Sequence, residues 1–248
     1  MAVHHDNLAA LQWASTLLDK IRAERPRVHC LTNPVAQNIS ANCLLAIGAA
    51  PSMTADAEVI DDFVGGTQAL VVNLGMLDEA RKASIPKAVA TANKLGRPWL
   101  LDPVKVDRAG ARLAFATNLL GQGPAILRCN LDESDRLRNE IKGFSGVVAV
   151  TGACDRISQG GKQFTIANGS PVMDRVTAMG CAASAMLGAF LAVASDPWQA
   201  AAAGLLVFAV AGEIADAQSG GPGSFQPALL DTLFTLDADR LAERAKIQ

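Results

Sequence analysis

Short apolar runs alternate with longer amphipathic segments along the first 150 positions. The runs are 27–32, 51–54, 69–73, 98–101, 125–129 and 147–150. Several are continuously apolar rather than alternating, the pattern of strands covered on both faces. Between them, helical patterns span 34–48, 57–65, 78–95 and 107–119. Asp78 stands where an N-cap is expected, and Gly96 followed by Pro98 supplies a stop. After Thr151 the pattern predicts a β-excursion over 156–167, with Gly160-Gly161 at its turn, and two or three helices then finish the chain. This rhythm predicts an α/β fold with a central, mostly parallel sheet and helices on both faces. No linker, repeat or low-complexity stretch interrupts it, so residues 1–248 read as one domain.

Composition narrows the function classes. Half of the residues are hydrophobic and 19% are charged, which is enough apolar material for a large core. Net charge is −2 with no basic run, so a phosphate-tracking surface, and hence nucleic acid, is not expected. Aromatics make up 4% and tyrosine is absent, which removes a base-stacking platform. The cysteines are Cys30, Cys43, Cys129, Cys154 and Cys181, an odd set without C-x-x-C spacing. Neither a disulfide framework nor structural zinc is expected, and the usage fits a cytoplasmic protein. At the N-terminus no signal-peptide pattern is read, because His4, His5 and Asp6 interrupt the first apolar residues. The His4-His5 pair reads as a solvated terminus rather than a metal site. The longest apolar runs, 182–194 and 200–212, are too short for a bilayer and read as core helices, so no membrane association is expected.

In open α/β sheets, ligands bind beyond the carboxyl ends of the strands. The residues placed there are Thr32 and Asn33, Met53, Asn73 and Gly75, Asp102, then Arg128, Asn130 and Glu133, and finally Thr151-Gly152. The segment Val176-Thr177-Ala178-Met179-Gly180-Cys181 then opens into the run 182–194. It puts Gly180 and Cys181 at a helix start, where unpaired N–H groups and a partial positive charge suit phosphate. The same field is expected to lower the thiol pKa. Asp102 and Glu133 could hold Mg²⁺ directly or through water, and Arg128 could clamp a phosphate bidentately.

Each of these residues also has a plain structural reading. Asp102 before Pro103 can shape a turn, and Asn33 before Pro34 can be an N-cap. Glu133 can serve the first turn of a helix, and Met53 and Cys181 can be core residues. Recurrence at successive strand ends is what favours a shared site. The loop 219–224 reads either as a helix connector or as amides open to a ligand.

At this level of detail the chain resembles the hydroxyethylthiazole kinase family, thiamine-salvage kinases of the ribokinase-like superfamily. The resemblance rests on Val28-His29-Cys30-Leu31-Thr32-Asn33, Ala41-Asn42, Leu44 to Ala49, Pro51-Ser52-Met53, Asn73-Leu74-Gly75, Leu101-Asp102-Pro103-Val104, Val150-Thr151-Gly152, Gly180-Cys181 and Gly221 to Phe225. These motifs fall in the family's order over nearly the whole chain, which makes the set far more specific than a single glycine loop. The resemblance implies a ribokinase-like fold and transfer of a phosphoryl group from ATP, with Mg²⁺, to the hydroxyl of 4-methyl-5-(2-hydroxyethyl)thiazole. It also implies a homotrimer with sites near subunit interfaces. In that reading Gly180 and Cys181 are catalytic, and Met53, Asn33 and Ala178 face the thiazole alcohol. Arg128, Thr151 and Asn130 take ATP, and Asp102 and Glu133 are the carboxylates near Mg²⁺. Most ribokinase-like kinases have an aspartate where this family, like this chain, has cysteine.

The chain departs from the family pattern on the nucleotide side. Thr-Gly-Thr/Ala-Gly-Cys becomes Thr177-Ala178-Met179-Gly180-Cys181, Arg-Gly-Asn becomes Arg128-Cys129-Asn130, and the segment between Glu133 and Val147 is short. If the first glycine of the family motif takes a positive φ, Ala178 is strained. Two alternatives therefore stand beside the thiazole kinase: a related kinase of another small heteroaromatic alcohol, and a thiazole-binding homologue with weakened catalysis.

Overall fold

The computed structural model describes residues 2–248, with side chains from residue 9 onward. His4 and His5 thus lie outside the described side chains. Helix α1, Ala2–Glu24, leads into β1, Arg27–Leu31. There follow α2 (Pro34–Ala46), β2 (Ala50–Ser52), α3 (Ile60–Gly65), β3 (Ala69–Asn73), α4 (Glu79–Lys94), β4 (Trp99–Asp102), α5 (Gly110–Leu120) and β5 (Ile126–Asn130). Two short helices, α6 (Leu131–Arg136) and α7 (Arg138–Lys142), precede β6 (Val147–Thr151) and the hairpin β7 (Asp155–Gln159) and β8 (Lys162–Ile166). A 3₁₀ turn over Pro171–Arg175 leads to α8 (Met179–Val193), α9 (Pro197–Gln218), α10 (Pro222–Thr235) and α11 (Ala238–Arg244).

The eight strands form one sheet in the order β2-β1-β3-β4-β5-β6-β7-β8. The pairs from β2 to β6 are parallel, and β6-β7 and β7-β8 are antiparallel. Apart from the half-buried edge strand β2, the parallel strands send side chains to two separate cores. Val28, Cys30, Val71 and Leu100 join a core with α1, α2, α8, α9 and α10. Leu31, Leu70, Val72 and Leu101 join another with α3, α4 and α5. Burial on both faces is why these strands read as continuous apolar runs.

Helix α8 lies directly on the sheet. A Cβ at Gly188 would overlap the side chains of Val71 and Val28, so a glycine is what permits this approach. The contact matters for the site, because it fixes where the start of α8 meets the ends of β3 and β4. Helix α9 is long and apolar enough to cross a membrane, exceeding the 200–212 run read from the sequence, but 83% of its apolar window is buried inside the fold. It is a core helix here.

Local signals explain the element boundaries near the site. Asn33 caps α2, its side chain accepting the Ala36 N–H, with Pro34 in the first turn. Asp78 caps α4 in the same way. The helix predicted at 107–119 begins later, at Gly110, because Pro103 to Arg108 are held as turns by Val106 N–H to Pro103 and Arg108 N–H to Lys105. Four helices, rather than two or three, finish the chain.

Candidate active site

The carboxyl ends of β3, β4, β5 and β6 come together under the start of α8. Asn73 pairs in register with Asp102, and Asn130 with Thr151. A cavity of about 620 Å³ opens over them. Its wall includes Arg128, Asn130, Glu133, Thr151, Gly152 and the turn Ala178 to Cys181. Leu205, Phe208 and Ala209 of α9 supply an apolar side, and Asn168 to Pro171 a polar one.

Asp102 lies just beneath this cavity and is fully buried. Its Oδ2 accepts from Asn73 Nδ2 at 2.8 Å and from Ser184 Oγ at 2.7 Å. Its Oδ1 has no hydrogen-bond partner and stands 3.7 Å from Arg128 Nη1. Burial pushes the Asp102 carboxyl up to about 6, with Arg128 and the two hydrogen bonds opposing that rise. Arg128, itself almost buried, also donates from Nη2 to Thr151 Oγ1. Asp102, Arg128 and Thr151 thus form a continuous chain from under α8 to the end of β6.

Glu133 is the N3 residue of a capping box. Its Oε2 accepts the Asn130 N–H at 2.9 Å while Asn130 Oδ1 accepts the Glu133 N–H at 2.9 Å. Its Oε1 accepts the Lys105 N–H at 2.7 Å. The capping role therefore operates whether or not the carboxylate also serves an ion. Among the described residues, no group of three or more His, Cys, Asp and Glu side chains could hold a metal alone. That donor set fits Mg²⁺ held by one or two carboxylates together with phosphate oxygens and water, and the unpartnered Oδ1 of Asp102 leaves an acceptor for it.

Cys181 sits at the third helical position of α8 and lines the cavity. Its thiol is not the acidified group that a helix start predicts. Burial, with Asp102 adding to it, pushes the Cys181 pKa up to about 11. Desolvation of the thiolate outweighs the helix field. Asn33 Nδ2 reaches Cys181 Sγ at 3.6 Å and Asn73 Oδ1 at 3.1 Å, which ties the end of β1 to the thiol.

Gly180 has a packing reason to be glycine. A Cβ there would stand 2.7 Å from both terminal nitrogens of Arg128. Ala178, the N-cap of α8, has φ 64° and ψ 16°. A left-handed conformation costs a non-glycine residue about 1–2 kcal/mol. Ala178→Gly is expected to stabilise the fold by about 0.5–1 kcal/mol, the strain relief less the extra freedom of glycine in the unfolded chain. Urea unfolding measures it, and a destabilised variant would show that Ala178 is unstrained.

Not every candidate meets the cavity. Asn33 reaches the thiol but does not line the cavity, and Met53 follows β2 half-buried, packed on the α1–α2–α8 side core. The loop 219–224 is a connector between α9 and α10, with Ser224 Oγ accepting the Gly220 N–H, and it does not line the cavity.

Several polar residues of the site, Ser184, Asp155, Asn168, Ser170 and Asp174 among them, were not expected from the sequence. Ser184 was legible as the lone hydroxyl in an Ala-rich run, three positions past Cys181 and so on the same helix face. Asp155 lines the cavity and accepts the Gly152 N–H at 3.0 Å. Burial pushes its carboxyl up to about 6, opposed by that hydrogen bond and by Arg128. The α9 wall gave no signal, because apolar lining residues look like any other core positions.

The sequence profile described as the Hydroxyethylthiazole kinase family matches residues 18–147 and 138–239. The chain belongs to the hydroxyethylthiazole kinase family. It is 40% identical over 236 residues to a probable hydroxyethylthiazole kinase of Agrobacterium fabrum, covering 95% of this chain and 94% of that one. It superimposes on the hydroxyethylthiazole kinase of Pyrococcus horikoshii with a TM-score of 0.91 and 34% identity, covering 96% of this chain and 98% of that one. A ribokinase-like superfamily protein of Enterococcus faecalis shares the fold, with a TM-score of 0.64 at 12% identity over 88% and 93% of the two chains. The ribokinase-like architecture expected from the motifs is therefore the one found. Ala178 and Met179 line the cavity, and Cys129 lies between Arg128 and Asn130 on β5.

Proposed function

We propose that this protein phosphorylates the hydroxyl of 4-methyl-5-(2-hydroxyethyl)thiazole with ATP, as the names of its relatives indicate for those proteins. The observation that supports it most is the convergence of the α8 start, Arg128 and Thr151 on one cavity. Met179, Gly180 and Cys181 occupy the first three helical positions, and the first bond of the helix is Ala182 N–H to Ala178 O. Their own N–H groups therefore have no partner in the helix. Fixed donors of this kind, aimed at developing negative charge, are what phosphoryl transfer asks of a protein.

In this reading Arg128, Thr151 and Asn130 take the nucleotide, and Arg128 is held in place by Asp102. Glu133, which lines the cavity, and Asp102, beneath it, would hold Mg²⁺ directly or through water. When bound, the ion supplies neutralisation of phosphate charge. Met53, Asn33 and Ala178 lie on the alcohol side, with Asn33 also orienting Cys181. The proposed assembly is a homotrimer acting in the cytoplasm. The exposed apolar side chains Val35, Leu45, Val59 and Phe63, on or beside α2 and α3, support burial of that flank by a second copy. Light scattering tests the trimer.

A thiol with a pKa near 11 is neutral at pH 7. It can orient the alcohol and take its proton only late, which a loose transition state tolerates. Cys181→Ala is accordingly expected to lower kcat by about 10-fold, with less change in the KM of the alcohol. Equal losses in both would make the thiol a packing residue.

A coupled assay with ATP, Mg²⁺ and the thiazole alcohol tests the activity, and absence of phosphorylated product at high enzyme concentration overturns it. The strained Ala178 favours one second reading, a thiazole-binding homologue with weakened catalysis. Calorimetry separates the two: thiazole binding without ATP binding supports the second. Competition by other heteroaromatic alcohols would show a shifted substrate.

A further inference from the structure

His29 is the one histidine with a described side chain, and nothing in the proposed chemistry uses it. It is fully buried in the middle of β1, opposite Ser52 of β2. Its Nδ1 lies 2.6 Å from Ser52 Oγ, and its Nε2 lies 3.1 Å from the Thr54 carbonyl. A carbonyl can only accept, so Nε2 carries the proton and Nδ1 accepts from the Ser52 hydroxyl. One neutral imidazole thus grips the chain on both sides of Met53. The ring also packs 5.7 Å from the Phe63 ring of α3, centroid to centroid.

The same short strand governs the thiol. Four residues after His29, Asn33 caps α2 and reaches Cys181 Sγ at 3.6 Å. β2 itself is only three residues long and sits at the edge of the sheet, and its pairing with β1 ends at Ser52, so beyond it the chain has core packing at Met53 but no ladder. Thr54 then turns away, its Oγ1 accepting the Asp56 N–H at 3.3 Å. Where β2 ends, the side chain of His29 replaces the missing ladder.

We propose that His29 is a positioning residue for the alcohol substrate: through Ser52 and Thr54 it sets where Met53 stands relative to Asn33 and Cys181. The inference rests on the reading of Met53 as an alcohol contact and predicts which ligand depends on His29. The alcohol loses affinity when the grip is broken, and ATP does not, because Arg128, Thr151 and the α8 start are held by other partners.

The test is isothermal titration calorimetry of the thiazole alcohol and of ATP against wild type, Ser52→Ala, His29→Gln, His29→Phe and Met53→Ala. Ser52→Ala removes one hydrogen bond at a half-buried position and protects against a failure of the buried His29 variants to fold. Expected are about 10-fold weaker alcohol binding for His29→Phe and about 3-fold for Ser52→Ala, with ATP affinity within about 2-fold. His29→Gln, whose amide N–H can still reach the Thr54 carbonyl, recovers part of the loss. Nitrogen NMR of the wild-type imidazole is expected to show the Nε2–H tautomer. Unchanged alcohol affinity in both Ser52→Ala and His29→Phe, or equal weakening of alcohol and ATP, overturns the proposal. If Met53→Ala alone weakens alcohol binding, the Met53 reading survives and the His29 inference falls; if Met53→Ala has no effect, both fall.

Discussion

Asp102→Asn is expected to lower kcat by about 10³-fold while leaving the protein folded, since removing a preorganised charged group at a phosphoryl-transfer site costs about that much. The structural reason is specific. The side-chain oxygen of an asparagine would still have to accept from Asn73 Nδ2 and Ser184 Oγ, as Asp102 Oδ2 does now. Its amide nitrogen would then face Arg128 Nη1, donor against donor, where Oδ1 now stands at 3.7 Å. Arg128 would lose the charge that holds it and shift from Thr151, and the carboxylate nearest the α8 start would be gone.

Stability should respond differently, and the sign follows from linkage. The folded pKa of Asp102 is about 6, above its ordinary value of 3.8, so the folded state binds this proton more tightly than the unfolded chain. The group's favourable contribution is present below pH 3.8 and is lost as pH rises through 6, about 3 kcal/mol in all. Asp102→Asn removes that penalty at neutral pH, and the Arg128 attraction is already contained in it because it opposes the rise in the carboxyl pKa. Denaturant unfolding between about pH 4 and 7 should therefore show a flatter pH dependence in the variant than in the wild type. A variant keeping a tenth of wild-type kcat would remove Asp102 from the chemistry.

The contrast between Asp102 and the other predicted residues shows what sequence could and could not reveal. The strands β1 and β3 to β6 were legible, because a largely apolar run set between two helical patterns is the mark of a strand covered on both faces, and the edge strand β2 was legible only in position. The strand ends were legible for the same reason, and with them Asp102, Arg128, Thr151 and the α8 start. What sequence could not show was burial and the partners it imposes. Asp102 and Glu133 look alike as acidic residues at strand ends and both are buried, yet Asp102 lies under the cavity with side-chain partners while Glu133 spends both oxygens on backbone amides. Cys181 carried the opposite error. A helix start lowers a thiol pKa only where water or cations also favour the thiolate, and α8 buries the sulfur beside Asp102. Helix α1 gave no expectation because its apolar positions follow no boundary signal stronger than Pro26, and the exact extent of β2 was lost because its last hydrogen bonds are made by a side chain, His29, rather than by the ladder.

Gly180→Ala is expected to separate nucleotide use from alcohol use. Alanine is favoured over glycine within a helix by about 1 kcal/mol, and position 180 lies in the first turn of α8. That gain is set against the cost of moving the buried Arg128. The added Cβ would nevertheless stand 2.7 Å from both Nη1 and Nη2 of Arg128 and 3.0 Å from its Cζ. A guanidinium on an open surface would swing aside at little cost. Arg128 cannot, because Asp102 lies behind it, Thr151 accepts its Nη2, and its Nε is buried without a partner. It must either break the Asp102 contact or leave the cavity wall, and either move takes a charged donor away from the phosphates. The KM for ATP is expected to rise about 10–100-fold, the range for losing a hydrogen bond to a charged group, with the KM of the alcohol changed by less than about 2-fold. Steady-state kinetics with each substrate varied in turn measures the split. Arg128→Lys supplies the internal comparison: a lysine keeps the charge but loses the fork that meets Asp102 and Thr151 together. If Gly180→Ala leaves the KM for ATP unchanged, the guanidinium is free to move and the chain from Asp102 through Arg128 to Thr151 does not hold the nucleotide.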